Sequence, residues 1–232
     1  MNVALVKSKL IACWYIMKGL GKPCFSQMGE DRILHFLFQS LGITNPTYLD
    51  IGANHPVNGS NSYFFYHRGS CGVCVEADPT LAAQIKRVRK RDICLNVGIG
   101  VTESTAADFY IFPNPYTGWN TFSKEEAEFR KTNWHPYEKI IKMPLQNINA
   151  ILEKNFNATP DFISIDVEGL DFDILKSLDF NRHHPTALIV ETLHYDEFNK
   201  PQKQQDLIDF VCSKGYSVYA DTYVNTIFSR NT

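Results

Sequence analysis

The sequence predicts one doubly wound α/β domain closed by an antiparallel pair of strands. Three observations carry this. Short apolar runs of strand length alternate with helical segments from residue 47 to residue 213, the signature of a parallel sheet with crossover helices. The chain then ends in two short strand-like runs, GYSVYA (215–220) and VNTIFSR (224–230), joined by a tight turn. With 232 residues and 44% hydrophobic content, it can bury one sizeable core.

The elements follow in order. Residues 29–41 place Ile33, Leu34, Leu37, Phe38 and Leu41 at the spacing of an amphipathic helix, behind acidic residues that suit a helix N-terminus. TYLDIG (47–52) reads as the first strand, SNSYFFYHRG as a helix, CGVCVEAD (71–78) as the second strand and 79–90 as a helix. DICLNVGI (92–99) reads as the third strand, DFISIDVE (161–168) as the fourth, 170–178 as a helix, TALIVET (186–192) as the fifth strand and 201–213 as a helix. Between 105 and 155 the rhythm breaks: ADFYIF reads as a strand, PNPYTGWN as a loop, SKEEAEFRK as a helix and KIIKMPL as a strand. This marks an insertion at about 105–145, of the kind that decorates the ligand-binding edge at the carboxyl ends of parallel strands. The expected organisation is a helical extension over 1–24 and a single domain over 25–232.

Composition narrows the function. Twenty-three Lys plus Arg against 25 Asp plus Glu give a net charge of -2, so no global positive field gathers nucleic acid. Of the six cysteines, Cys13, Cys24, Cys71, Cys74, Cys94 and Cys212, most sit in apolar runs, which points to a reducing compartment and a cytoplasmic location. Cys71 and Cys74 form a C-x-x-C, but three residues apart on a strand they face opposite ways. In the apolar start, the uncharged run covers only residues 10–17, far short of the ~20 residues that span a bilayer. Residues 3–20 read as a helix packing on the core or on a second copy, with a peripheral membrane contact through Trp14, Tyr15 and the lysines as the alternative.

The first site lies in YLDIGANHP. Asp50, Gly52 and Asn54 fall in the turn leaving the first strand, and Glu76 ends the second, where an acidic residue binds ribose hydroxyls in dinucleotide folds. A pyrophosphate needs several closely approaching backbone amides, hence G-x-G-x-x-G, and this turn has one glycine. S-adenosylmethionine carries no phosphate, and its ammonium and sulfonium make the nearby Asp50 favourable. The residues therefore favour the methyl donor over NAD.

Several runs, in this order, resemble the FkbM-type S-adenosylmethionine-dependent methyltransferases: FSQMGEDRIL (25–34), YLDIGANHP with SNSYFFYHRG, GVCVEADP, NVGIG, the WNTFSKEEA region, DFISIDVEGLDFDIL and IVETLH. The resemblance implies a class I methyltransferase (Rossmann-like) fold, with a mostly parallel seven-stranded sheet and a terminal antiparallel hairpin. It implies O-methylation of sugars, polysaccharide precursors or natural products. It places Asp50, Gly52 and Asn54 along the methionine part of the cofactor, Glu76 on the ribose with Asp78 assisting, and Val97 and Gly98 beside the adenine. Gln27, Glu30 and Asp31 would close over the pocket. A module that binds the cofactor without turnover, within a glycan-assembly complex, is the alternative.

Methyl transfer to a hydroxyl needs a base or a metal. Asp166 and Glu168 end the fourth strand and Glu191 and His194 follow the fifth, so neighbouring strand ends bring them toward one crevice. His194 is the natural base at neutral pH and Asp166 the alternative or its orienting partner. A magnesium or manganese ion held by Asp166 and Glu191 is the metal reading. His55, in the cofactor turn, and Trp134 with His135, in the insertion's NWHPY, are candidate acceptor contacts, since aromatics flanking polar groups suit a sugar.

Overall fold

The computed structural model describes residues 18, 21–195 and 200–231. The helix expected over 3–20, and the 1–24 extension with it, lies almost wholly outside the described residues. Among those described, no helix is long and apolar enough to cross a membrane.

The described chain runs α1 (Glu30–Ser40), β1 (Tyr48–Ile51), α2 (Tyr63–His67), β2 (Gly72–Val75), α3 (Pro79–Val88), β3 (Ile93–Leu95) and β4 (Gly98–Ile99). The insertion supplies β5 (Ala106–Ile111), a short 3-10 turn (Thr117–Trp119), α4 (Lys124–Asn133) and β6 (Lys139–Gln146). Then come α5 (Ile148–Asn155), β7 (Phe162–Ile165), α6 (Asp171–Ser177), β8 (Ala187–Glu191), β9 (Leu193–Tyr195), β10 (Pro201–Lys203), α7 (Gln205–Ser213), β11 (Tyr216–Asp221) and β12 (Asn225–Arg230).

Seven strands form the main sheet in the order β3-β2-β1-β7-β8-β12-β11. The pairs β1–β2, β2–β3, β1–β7 and β7–β8 are parallel, while β12 runs antiparallel to both β8 and β11. This is the class I methyltransferase arrangement, an α/β sheet whose order reverses between β1 and β7. Ligands of doubly wound sheets bind outside the strand ends at such a point.

Period-two alternation builds the two faces of the sheet. Leu49, Ile51, Ile163, Ile165, Leu188 and Val190 pack against α5, α6 and α7 through Ile151, Leu152, Ile174, Leu175, Leu207 and Val211. Tyr48, Phe162, Ala187 and Ile189 point the other way, onto Leu34, Leu37 and Phe38 of α1 and Phe64 and Phe65 of α2. Both faces are covered, which is why the strands read as near-continuous apolar runs.

Three expectations change. The stretch 92–99 is two strands rather than one: the Asn96 side chain donates to the carbonyls of Glu76 (2.8 Å) and Ala77 (3.0 Å), ending the ladder, and β4 leaves to pair with β6 of the insertion. Residues 201–203 are not helical but pair with β9, with the backbone N–H of Gln204 donating to Thr192 (2.9 Å) before α7 begins. Helix α5 was not expected, although Ile148, Ile151 and Leu152 have helical spacing and the Asn147 side chain caps it. Cys71 is exposed ahead of β2 and Cys74 is buried within it, and the described cysteines are all unpaired.

Candidate functional site

At the carboxyl ends of β1, β2 and β7 lies a cavity of about 440 Å³. Gly52, in the turn after β1, has φ of +77°, and a Cβ there would lie 1.7 Å from the carbonyl oxygen of Asp166. Only glycine lets the β1 turn and the β7 exit approach this closely. Asn54 follows in a left-handed conformation (φ 47°), which aims its backbone N–H at the Glu76 carboxylate (2.7 Å). The N–H of Asp78 donates to the other oxygen (2.7 Å). Burial nonetheless pushes the Glu76 carboxyl up to about 7.

Asp50, Gly52, Asn54, Glu76, Val97 and Gly98 all line this cavity, as does Gln27. Asp78 does not line it: one oxygen caps α3 by accepting from the N–H groups of Thr80 (2.7 Å) and Leu81 (3.3 Å), and the other accepts from Asn120 (3.2 Å). Glu30 and Asp31 are buried structural groups. Glu30 accepts from Thr222 (2.7 Å) and Asn225 (2.9 Å), tying α1 to the β11–β12 hairpin, and Asp31 accepts from the N–H of Phe25 (2.7 Å).

The opposite end of the cavity is acidic. Asp166 and Glu168 leave β7, Glu191 ends β8, and carboxylate oxygens of all three lie within 4.8 Å of one another. Asp166 and Glu168 line the cavity. Burial, reinforced by the neighbouring carboxylates, raises Asp166 and Glu191 well above the usual carboxylate range. Glu168 is raised by burial too, opposed by Arg130. Arg130, on α4, is the counter-charge: its guanidinium meets Glu168 at 2.5 Å and Glu126 at 3.4 Å and donates to the Trp119 carbonyl at 3.0 Å. The insertion is pinned from a second side by Thr121, whose hydroxyl donates to the Glu168 carbonyl (2.7 Å).

His194 is not brought into this group. It lies on β9 opposite Gln202, away from the cavity lining, and its buried Nδ1 has no hydrogen-bond partner among the described residues. His55 also stays outside the lining, with Nδ1 accepting from the N–H of Val57 (3.1 Å) and of Asn58 (2.9 Å) to shape the turn. Trp134 and His135 belong to an aromatic stack that begins inside the cavity: Trp119 lines it, stacks on Tyr116 (4.6 Å) and meets Trp134 (5.2 Å), while Tyr116 meets His135 (4.9 Å).

The sequence reading did not single out Trp119 or Arg130. Arg130 stands four residues after Glu126, a spacing that signals an ordinary helix-surface ion pair and conceals its reach to Glu168. An all-carboxylate set suits a hard divalent cation, but here a guanidinium already neutralises one member.

Residues 50–218 match the family model described as "Methyltransferase FkbM domain". Among solved structures, the chain is similar to magnesium protoporphyrin IX methyltransferase from Synechocystis PCC 6803, solved with bound SAM, at 10% identity and a TM-score of 0.45, covering 100% of each chain. It is also similar to a TehB-like SAM-dependent methyltransferase from Corynebacterium glutamicum (10% identity, TM-score 0.44, 99% of this chain and 100% of the other). A third is the Burkholderia thailandensis 1,6-didemethyltoxoflavin-N1-methyltransferase (10% identity, TM-score 0.43, 99% and 89%). Among curated proteins none matches.

Proposed function

We propose that this chain, which belongs to the FkbM methyltransferase domain family, moves a methyl group from S-adenosylmethionine to a hydroxyl of a sugar, a polysaccharide precursor or a natural product. The observation that carries this is one cavity with the backbone-held Glu76 carboxylate at one end and the Asp166–Glu168 pair at the other.

Each Glu76 oxygen accepts one N–H and keeps a lone pair, so the two together suit the two hydroxyls of a ribose. Val97 and Gly98 line the space beyond it for a flat base. Gly52 and Asn54 leave the β1 turn open for the amino-acid end. When bound, the donor supplies an electrophilic methyl on a positively charged sulfur. Asp166, which lines the cavity on the side away from Glu76, is the carboxylate we assign to the acceptor hydroxyl. The ionised Asp166 carboxylate would accept the proton of the acceptor hydroxyl. Burial, by raising the proton affinity of Asp166, makes its ionised form a stronger base than an ordinary carboxylate. His194 has no place in this step. The stack of Trp119, Tyr116, Trp134 and His135 gives the acceptor an apolar wall on which the C–H face of a sugar ring can lie.

A second reading rests on the 4.8 Å grouping of Asp166, Glu168 and Glu191: a magnesium or manganese ion there would hold the acceptor hydroxyl. Calorimetry with S-adenosylmethionine and S-adenosylhomocysteine, with and without magnesium, separates the two. The main reading expects micromolar binding that is indifferent to magnesium and abolished by Glu76→Ala. Unchanged affinity in that variant would remove Glu76 from the site. Tight binding with no S-adenosylhomocysteine formed from any acceptor pool would favour a non-catalytic module of a glycan-assembly complex.

A further inference from the structure

Where α2 packs against α1, a second hollow of about 400 Å³ opens to the outside, and it shares no lining residue with the cavity at the strand ends. Its charged groups are of one sign. Lys22, Arg32 and Arg68 line it with His35 and His67, and no carboxylate does. Arg32, His35 and Gln39 stand at i, i+3 and i+7 and so share one side of α1. The Arg32 and Arg68 guanidiniums lie over one ring, Phe64, at 4.7 and 5.6 Å from its centroid, and the His35 ring meets it edge-on at 4.9 Å. Phe64 is 2% exposed, so these cations rest on a fixed apolar floor.

This positive face has no counter-charge of its own. Among the described residues, neither guanidinium meets a carboxylate within ion-pair distance or donates a hydrogen bond. The acidic residues that precede Arg32 are turned away, Glu30 to Thr222 and Asn225 and Asp31 to Phe25 and Ser26. The chain as a whole carries a net charge of -2, so the positive field is local. One turn beyond Arg32, Phe36 is 67% exposed. The chain reaches the hollow through Lys22, and residues 1–24 hold Lys7, Lys9, Lys18 and Lys22 with Trp14 and Tyr15, and no Asp or Glu.

We infer that the α1–α2 face docks on a membrane surface containing anionic phospholipid, with Lys22, Arg32 and Arg68 meeting headgroup phosphates and Phe36 entering the boundary of the acyl chains. Basic side chains are drawn to the negative surface potential, and an exposed aromatic beside them adds apolar burial that persists after salt has screened the charges. A soluble phosphate would use the cations but neither Phe36 nor the acid-free stretch before Lys22, so the lipid surface accounts for more of what is there. The inference is independent of what the cavity at the strand ends binds.

The test is co-sedimentation of the full chain with vesicles of phosphatidylcholine alone and of equimolar phosphatidylcholine and phosphatidylglycerol. The wild type should bind the mixed vesicles at least about tenfold more tightly than the neutral ones, and salt should weaken that binding. Arg32→Gln with Arg68→Gln should lose about tenfold or more on mixed vesicles, whereas Arg32→Lys with Arg68→Lys, which keeps the charge, should stay within about threefold. Phe36→Ser should lose about threefold or more. Lys154→Gln with Lys176→Gln, which removes the same charge from the helices on the other face of the sheet, should change binding by less than about twofold. No vesicle binding by the wild type, equal binding to neutral and mixed vesicles, or equal losses in the two glutamine pairs would overturn the inference. So would unchanged binding in Arg32→Gln with Arg68→Gln or in Phe36→Ser. Calorimetry with inorganic phosphate completes the test: micromolar binding that the Arg32 and Arg68 glutamine pair abolishes would overturn the inference in favour of a soluble phosphate ligand.

Discussion

The two ends of the cavity carry carboxylates held by different means. Glu76 is gripped by two backbone N–H groups, both at 2.7 Å, from the turns that follow β1 and β2. Among the described residues, no such pair of amides meets Asp166, Glu168 or Glu191. Among the described residues, the basic side chain that pairs with this group is Arg130, delivered from the insertion to Glu168. A backbone grip comes with the strand-to-helix turn itself, so it is as rigid as the sheet. A side-chain grip depends on how the insertion docks, so the acidic end can be retuned while the other end is left alone. Asp171 marks the boundary between the two regimes: it accepts from the N–H groups of Val167 (3.1 Å) and Gly169 (3.3 Å) and braces the turn that presents the acidic group, while burial pushes its own carboxyl up to about 6.

The contrast can be broken most strongly at Gly52. Gly52→Ala forces a Cβ into the Asp166 carbonyl at a positive φ, so it should destabilise the protein by roughly 3 kcal/mol or more and abolish S-adenosylhomocysteine binding. Thermal melts and calorimetry check both, and a stable, binding Ala variant would contradict the close approach of β1 and β7.

Arg130→Met acts on one end only. Removing the guanidinium leaves Glu168 unmatched, so the variant should lose about 100-fold or more in kcat while its affinity for S-adenosylhomocysteine changes by less than about threefold. Equal losses in both would show that the two ends are not independent. If a divalent ion rather than Arg130 were the working counter-charge, magnesium would restore the variant's rate.

The smallest effect is the pH dependence of cofactor binding. Free Glu76 titrates at about 7 because burial disfavours its charge, whereas hydroxyl donors prefer the ionised form. Binding therefore draws on the carboxylate and releases a proton, and affinity should weaken about tenfold from pH 8 to pH 6. Glu76→Gln should flatten the profile. The sign for stability is opposite: a carboxyl raised above its unfolded value of 4.5 favours the folded state below that value, and the contribution is lost as pH rises through about 7. Wild-type melting temperature should decline over that window in the absence of ligand.

Much of this molecule was legible in its residues. The apolar runs at 47–52, 71–78, 161–168 and 186–192 contain β1, β2, β7 and β8, because a sheet buried on both faces writes itself as unbroken hydrophobic stretches. Asp50, Gly52, Asn54 and Glu76 were readable for the same local reason: a turn that leaves one parallel strand and the end of the next occupy fixed places in the fold. The break at Asn96 and the pairing of residues 201–203 were not readable. Both depend on partners distant in sequence, the carbonyls of Glu76 and Ala77 in one case and β9 in the other.

The amino-acid order by itself determined the sheet, its two covered faces and the backbone-held half of the site, since these follow from periodicity and turn chemistry over a few residues. Only the tertiary structure decided that His194 stands outside the cavity lining and that Arg130 joins the acidic group. Whereas the Asp78 cap on Thr80 and Leu81 is local, the reach of Arg130 to Glu168 spans 38 residues of sequence. Side-chain direction at that range is set by packing, and no local pattern records it.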